Sequence, residues 1–172
     1  KRLKIHGKCV AHEVDIGAYK KEDSFIVEAK FHARPGIKSD LQVAMYSHAR
    51  FLDLQNKKIC PADICGIKHL YIITNTKFTS AARKYAECVG IELLSWNYPK
   101  SNNLHNRIEN IQLYPITVLQ TLSTAQKRTL IARNCIVCAD VLEKPSILRH
   151  LHISVKKTEA VLSEARQLCQ DN

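Results

Sequence analysis

Glycine and proline are scarce in this chain, with five of each in 172 residues, and neither an internal repeat nor a low-complexity tract is present. That excludes collagen-like, linker-like and solenoid architectures. No apolar run approaches the roughly 18 residues that a membrane-spanning helix needs. Nothing reads as a secretory leader, because the chain opens on Lys1, Arg2 and Lys4 inside a strand-like segment. An initiator Met is also lacking, and the abrupt start reads as a fragment whose upstream region is missing.

Acidic residues are the minority: 26 Lys and Arg stand against 16 Asp and Glu, for a net charge of +10. Such a balance favours a polyanionic partner, since phosphate neutralisation and counterion release supply most non-specific nucleic-acid affinity. A merely basic protein is the alternative from charge alone. Up to Gln112 there are 18 basic and 11 acidic residues, and after it 8 and 5. Neither part is a basic tail, so any basic surface must be built by folding.

The seven cysteines are Cys9, Cys60, Cys65, Cys88, Cys135, Cys138 and Cys169. An odd number without framework spacing points to free thiols in a reducing cytoplasm. Cys60 and Cys65, or the CxxC of Cys135 and Cys138, could begin a zinc site completed by His69 or His150. Each pair lacks a second pair nearby, so free thiols are the favoured reading.

Alternating residues predict strands over 3–8 and 10–19, turning near Gly7. The clearest strand is 24–32, with Phe25, Val27, Ala29 and Phe31 on one face and Ile26, Glu28, Lys30 and His32 on the other. A helix is expected over 39–54, with Leu41, Met45, His48 and Leu52 as one stripe and Gln42, Tyr46, Ala49 and Asp53 as its neighbour. Residues 55–68 read as a surface loop and 70–74 as a buried strand. Phe78, Ala81, Ala82, Tyr85, Ala86 and Val89 then recur at helical spacing, capped by Thr79 or Ser80 and ended by Gly90. A strand follows over 91–96 and a short helix over 101–110. From 123 to 169 the pattern is helical, in pieces near 123–133, 137–143, 145–150 and 154–169. The expected architecture is a mixed α/β (α+β) domain over 1–112, its central sheet flanked by helices, and an all-helical module over 113–172.

Glu28 and Lys30 stand two apart on one strand and so face the same way. Asp15, on a neighbouring strand, could bring a second carboxylate to them, with the Ala29 carbonyl as a third oxygen ligand. Mg²⁺ needs only two or three such protein groups because it keeps several waters. Lys30 could orient the attacking water or stabilise developing charge. A structural Glu–Lys pair is the competing reading. Glu13 shares the strand face of Asp15 and could be a further ligand, though a solvated carboxylate is the favoured reading. His12 and His32 read as polar fillers.

Val14-Asp15-Ile16 followed by Phe25-Ile26-Val27-Glu28-Ala29-Lys30 resembles the D…ExK signature of PD-(D/E)xK, restriction-endonuclease-like nucleases, and most of all the Mrr-like branch. The stretch Ile72 to Ala86, followed by Gly90-Ile91-Glu92-Leu93-Leu94, is similar to that branch's strand, Thr/Ser-rich turn, "FT..A..YA" helix and "GI.L" strand. The resemblance covers about residues 5–100 and is strongest to prokaryotic Mrr-like nucleases that carry an ATP-cone domain upstream, which this sequence does not contain. It implies a restriction-type endonuclease dependent on Mg²⁺ or Mn²⁺, acting on DNA in a prokaryotic cytoplasm, with Asp15, Glu28 and Ala29 on the metal and Asp15, Glu28 and Lys30 as catalytic core. Gln42 and Tyr46 match the QxxxY element of related nucleases and are added to the catalytic set. Those nucleases also use a Glu from a helix before the first strand, which would precede Lys1.

Lys8, Arg34 and Lys38 are candidate DNA contacts near the expected site. Leu151 to Lys157, with Val161, Leu162 and Ala165, resembles one end of a helix-hairpin-helix, which implies phosphate contacts at Lys156 and Lys157. The glycines usual in that hairpin are lacking. A non-catalytic DNA-binding or assembly module, an RNA-processing nuclease, and assembly as a homo-oligomer all stay open.

Overall fold

The computed structural model describes residues 3–20, 23–34, 36–59 and 66–170. By contacts the chain divides into two compact units, Lys1–His105 and Asn106–Asn172. The division falls ahead of the pattern change near residue 112.

The first unit is built on a four-stranded mixed sheet of order β3-β4-β6-β8. Its strands are β3 (Ile16–Lys20), β4 (Asp23–Lys30), β6 (Ile67–Thr74) and β8 (Glu92–Ser95). β3 runs antiparallel to β4, while β4, β6 and β8 are mutually parallel. Parallel neighbours need crossovers, and helices α1 (Leu41–Leu54) and α2 (Ser80–Val89) supply them. Their small residues Ala44, Ala82 and Ala86 pack with Ile26, Leu70, Ile72 and Leu93 of the sheet in one core. The fold is thus the expected mixed α/β type: a mixed sheet flanked by helices, followed by a helical region.

Three local features differ from expectation. The predicted strand over 10–19 is broken at Asp15: β2 (Ala11–Val14) pairs with β1 (Leu3–His6) in a separate ribbon, and β3 starts afresh on the main sheet. The buried face of α1 is Ala44, Ser47 and Leu54, with Val43 and Phe51 partly buried. Met45 and Leu52 of the predicted stripe are 50% and 55% exposed. The predicted stripe follows the large side chains, but a helix lying close on a sheet needs small side chains beneath it. Thirdly, β4 ends at Lys30, so Phe31 lies beyond the sheet and is 80% exposed.

Capping explains where the helices begin and end. The Asp40 carboxylate accepts from Val43 N at 3.2 Å, and Thr79 Oγ1 from Ala82 N at 3.2 Å. Gly90 closes α2 with φ of 75°, a conformation that suits glycine. Two short strands, β5 (Lys38–Ser39) and β7 (Lys77–Phe78), pair in parallel just ahead of α1 and α2.

The second unit holds α4 (Thr124–Ala132), α5 (Cys138–Glu143), a 3₁₀ helix (Pro145–Leu151) and α6 (Val155–Gln170). α3 (Leu104–Ile111) spans the division between the units. The core of the second unit gathers Ile116, Leu119, Leu130, Val141, Leu148 and Val161 with both cysteines of the CxxC. Burial pushes the Cys135 thiol up to about 11 and the Cys138 thiol up to about 12. Both are core thiols. Among the described residues no group of three His, Cys, Asp or Glu is placed to hold a metal. Cys60 and Cys65 lie outside the described residues.

Candidate active site

Four expected residues meet in one open cleft of about 270 Å³, lined by Glu13, Asp15, Glu28, Ala29, Lys30 and Arg50. The strand break at Asp15 is what turns its side chain inward. Ala29 N donates to Asp15 Oδ2 at 2.9 Å. This couples the aspartate to the middle of the Glu28-Ala29-Lys30 segment.

Glu28 continues the face of Ile26 toward the end of β4, where α1 covers the sheet. Its side chain is only 7% exposed, and both carboxylate oxygens are engaged. Lys30 Nζ donates to Oε1 at 2.5 Å, and Arg50 Nη1 donates to Oε2. Enclosure of a carboxylate is costly unless opposite charge and hydrogen bonds are supplied, and these two cations supply both. Lys30 remains one-third exposed at the mouth, whereas Arg50 lies behind.

Arg50 stands outside the set of residues expected from the sequence. The signal was present: Gln42, Tyr46 and Arg50 continue one i, i+4, i+8 row along α1. Tyr46 is exposed, and the Arg50 guanidinium lies 4.8 Å from its ring centroid. Tyr46 therefore reaches the cleft through Arg50 rather than by lining it. Gln42 is exposed and does not line the cleft.

Asp53, one turn further along α1, fastens the β1–β2 ribbon. It accepts from Cys9 N at 2.6 Å, Val10 N at 3.2 Å and His12 Nε2 at 2.8 Å. Burial raises the Asp53 carboxyl, but the hydrogen bonds from His12 and from the Val10 and Cys9 amides overcome this and hold it well below the usual carboxylate range. The ribbon that leads into Asp15 is thereby held to the helix that carries Arg50.

A family model described as AF1548-like, C-terminal, matches residues 114–169. An uncharacterized protein of Archaeoglobus fulgidus is 35% identical over 165 residues, spanning 95% of this chain and 89% of that protein. The chain belongs to the AF1548-like family. A solved relative, described as a protein of unknown function, AF1548, superposes with a TM-score of 0.75 at 34% identity, over 98% of this chain and 86% of that one.

The remaining candidates of this AF1548-like chain are dispersed. Lys8 is exposed in the β1–β2 turn, and its backbone N donates to Asp53 O at 2.9 Å. Arg34 is exposed beyond β4, and Lys38 lines separate cavities with Lys77. None of the three lines the Glu28 cleft. In the helical unit, Lys157 Nζ donates to Gln126 Oε1 at 3.1 Å, while Lys156 is exposed. The left-handed hairpin position that glycine commonly takes is filled by His152, at φ of 49°. Between α4 and α5, the Ile136 and Val137 amides donate to Asp140 Oδ2 at 2.6 and 2.9 Å. A side-chain carboxylate there occupies two amides that a phosphate would otherwise need.

Proposed function

We propose that this chain is a divalent-metal-dependent endonuclease of the PD-(D/E)xK type, in its Mrr-like branch, hydrolysing phosphodiester bonds of DNA. The observation that carries the reading is the common cleft. Asp15, Glu28 and Ala29 offer oxygen donors there, and Lys30 stands at the mouth. An oxygen-only set of two carboxylates and a carbonyl suits Mg²⁺ or Mn²⁺, which retain waters at their other positions. Bound there, such an ion would supply Lewis-acid polarisation of a phosphate oxygen and a more acidic water.

The protein's own groups have separable tasks. Asp15 and Glu28 anchor the negative side of the cleft. Lys30, held by Glu28 yet partly exposed, presents donors to an incoming water or to charge developing on the phosphoryl oxygens. Arg50 fixes the Glu28 carboxylate from behind. A DNA substrate accords with the net charge of +10. The free Cys9 and Cys88, both exposed, accord with a reducing cytoplasm.

Plasmid relaxation with Mg²⁺ or Mn²⁺, against a chelator control, tests the reading. Lys30→Ala is expected to slow metal-dependent nicking about a hundredfold or more while leaving the circular dichroism spectrum unchanged. Undiminished nicking by that variant would overturn it. One observation favours a non-catalytic DNA-binding module instead: both Glu28 oxygens already hold cationic side chains. Wild-type protein that binds DNA but never nicks it would decide for that module. Competition between DNA and RNA separates a nuclease specific for either.

A further inference from the structure

Away from the Glu28 cleft, the same unit carries a second, strongly cationic feature. β5 and β7 set Lys38 directly opposite Lys77 in parallel register. Like charges facing each other across a ribbon repel, and sequences usually avoid the pairing. Here the repulsion is compounded. Lys38 and Lys77 line two adjoining cavities of about 320 and 340 Å³, and Arg83 lines the second. Among the described residues no carboxylate forms an ion pair with Lys38, Lys77 or Arg83. Three cations around one depression, with no Asp or Glu among the residues that line it, form a site for a multiply charged anion.

The other walls narrow the chemistry. Trp96, the single tryptophan of the chain, lines the first cavity and is 44% exposed. Its ring stacks at a tilt on His105, with centroids 5.1 Å apart, which holds the indole in place. Asn97 lines both cavities. The depression lies beyond the C-terminal ends of β6 and β8, the end of a parallel sheet where ligands collect. A fixed aromatic face beside a cluster of Lys and Arg is the combination that takes a base and its phosphates together.

We propose that this depression binds a single nucleic-acid strand, with phosphates on Lys38, Lys77 and Arg83 and a base against Trp96. The proposal deepens the nuclease reading by giving it a strand-holding site apart from the Glu28 cleft, but its test needs no cleavage. With excess chelator present, oligothymidylate is titrated into the full chain while Trp96 emission is followed. Saturable quenching is expected. Trp96→Ala should weaken binding of a labelled oligonucleotide roughly tenfold, by anisotropy. Lys38→Ala with Lys77→Ala should flatten the slope of log affinity against log salt by about 1.4, near 0.7 for each lost contact.

Polyglutamate and inorganic phosphate serve as controls. Equal quenching by polyglutamate would overturn the assignment in favour of an acidic peptide, and equal quenching by phosphate in favour of a simple anion. Oligonucleotide binding that leaves Trp96 emission unchanged would overturn it too, even if metal-dependent nicking is observed. Quenching without nicking under any metal would instead sink the nuclease reading and leave this site standing.

Discussion

Glu28 shows how a catalytic reading and a structural reading meet in a single side chain. Its carboxylate is enclosed, and Arg50 and Lys30 supply the opposite charge from two elements. Removing one partner of such a buried pair costs more than the pair contributes, because the survivor is left uncompensated. Arg50→Ala is therefore expected to lower stability by about 3 kcal/mol in urea unfolding. The same variant probes the proposed cation site. With Arg50 gone, Mn²⁺ should raise Tm by more than it does in the wild type, because the ion replaces the missing positive charge. Equal Tm shifts in the two proteins would detach Glu28 from any cation site. At this scale the sequence was informative about Glu28 and Lys30, because a period of two fixes their common side. It was silent about Arg50, whose importance comes from a contact 22 residues away in the chain.

Elements explain why Asp15 can reach its neighbours. The alternating pattern over 10–19 is continuous in the sequence, yet the chain leaves one ribbon and joins another sheet at that residue. Pattern reports which residues are apolar, not which partner each half-strand finds. The ribbon β1–β2 is pinned by Asp53, and Gly7 permits the close approach. A Cβ added at Gly7 would stand 2.0 Å from Asp53 Oδ2 and 2.8 Å from Val10 O. Gly7→Ala should accordingly destabilise the first unit by roughly 1–3 kcal/mol, the usual range for overpacking. Thermal melts followed by Trp96 emission would check it, and an unchanged midpoint would count against the ribbon's anchoring role. Helix α1 teaches a related lesson. Its existence and span were legible, but its buried side was chosen by the sheet beneath it, which admits Ala44 and Ser47 and leaves Met45 and Leu52 outside. His48 pairs with Tyr85 of α2 at 2.8 Å.

Across the whole molecule, each unit holds a carboxylate below its ordinary range by hydrogen bonds gained on folding. Asp53 serves the first. Glu164 serves the second, accepting from Gln120 N at 2.6 Å, Thr121 N at 3.0 Å and Thr121 Oγ1 at 2.6 Å. Burial raises the Glu164 carboxyl, but the Thr121 hydroxyl, the Gln120 and Thr121 amides and nearby Lys127 together lower it. Both folded values lie below the unfolded ones of about 4. The stability these groups contribute is therefore complete above that range and is lost as the pH falls through the folded values. Acid should weaken both units below about pH 4. Asp53→Asn should flatten the acid limb read by Trp96 emission, and Glu164→Gln the limb read by labelling of Cys135 and Cys138. An unaltered acid limb in either variant would remove that carboxylate from the account.

Fold class, strand–helix order, the helical C-terminal region and the common face of Glu28 and Lys30 are legible in the residue pattern alone. These follow from local periodicity and caps, which need no knowledge of distant residues. That Asp15 turns in at a strand break, that Arg50 rather than Gln42 completes the cleft, and that Lys38 faces Lys77 beside Trp96 emerge with the folded chain. Each of those depends on which segments become neighbours. Neighbourhood is set by the packing of the entire chain, where a few residues' own preferences are outweighed by the core they must share.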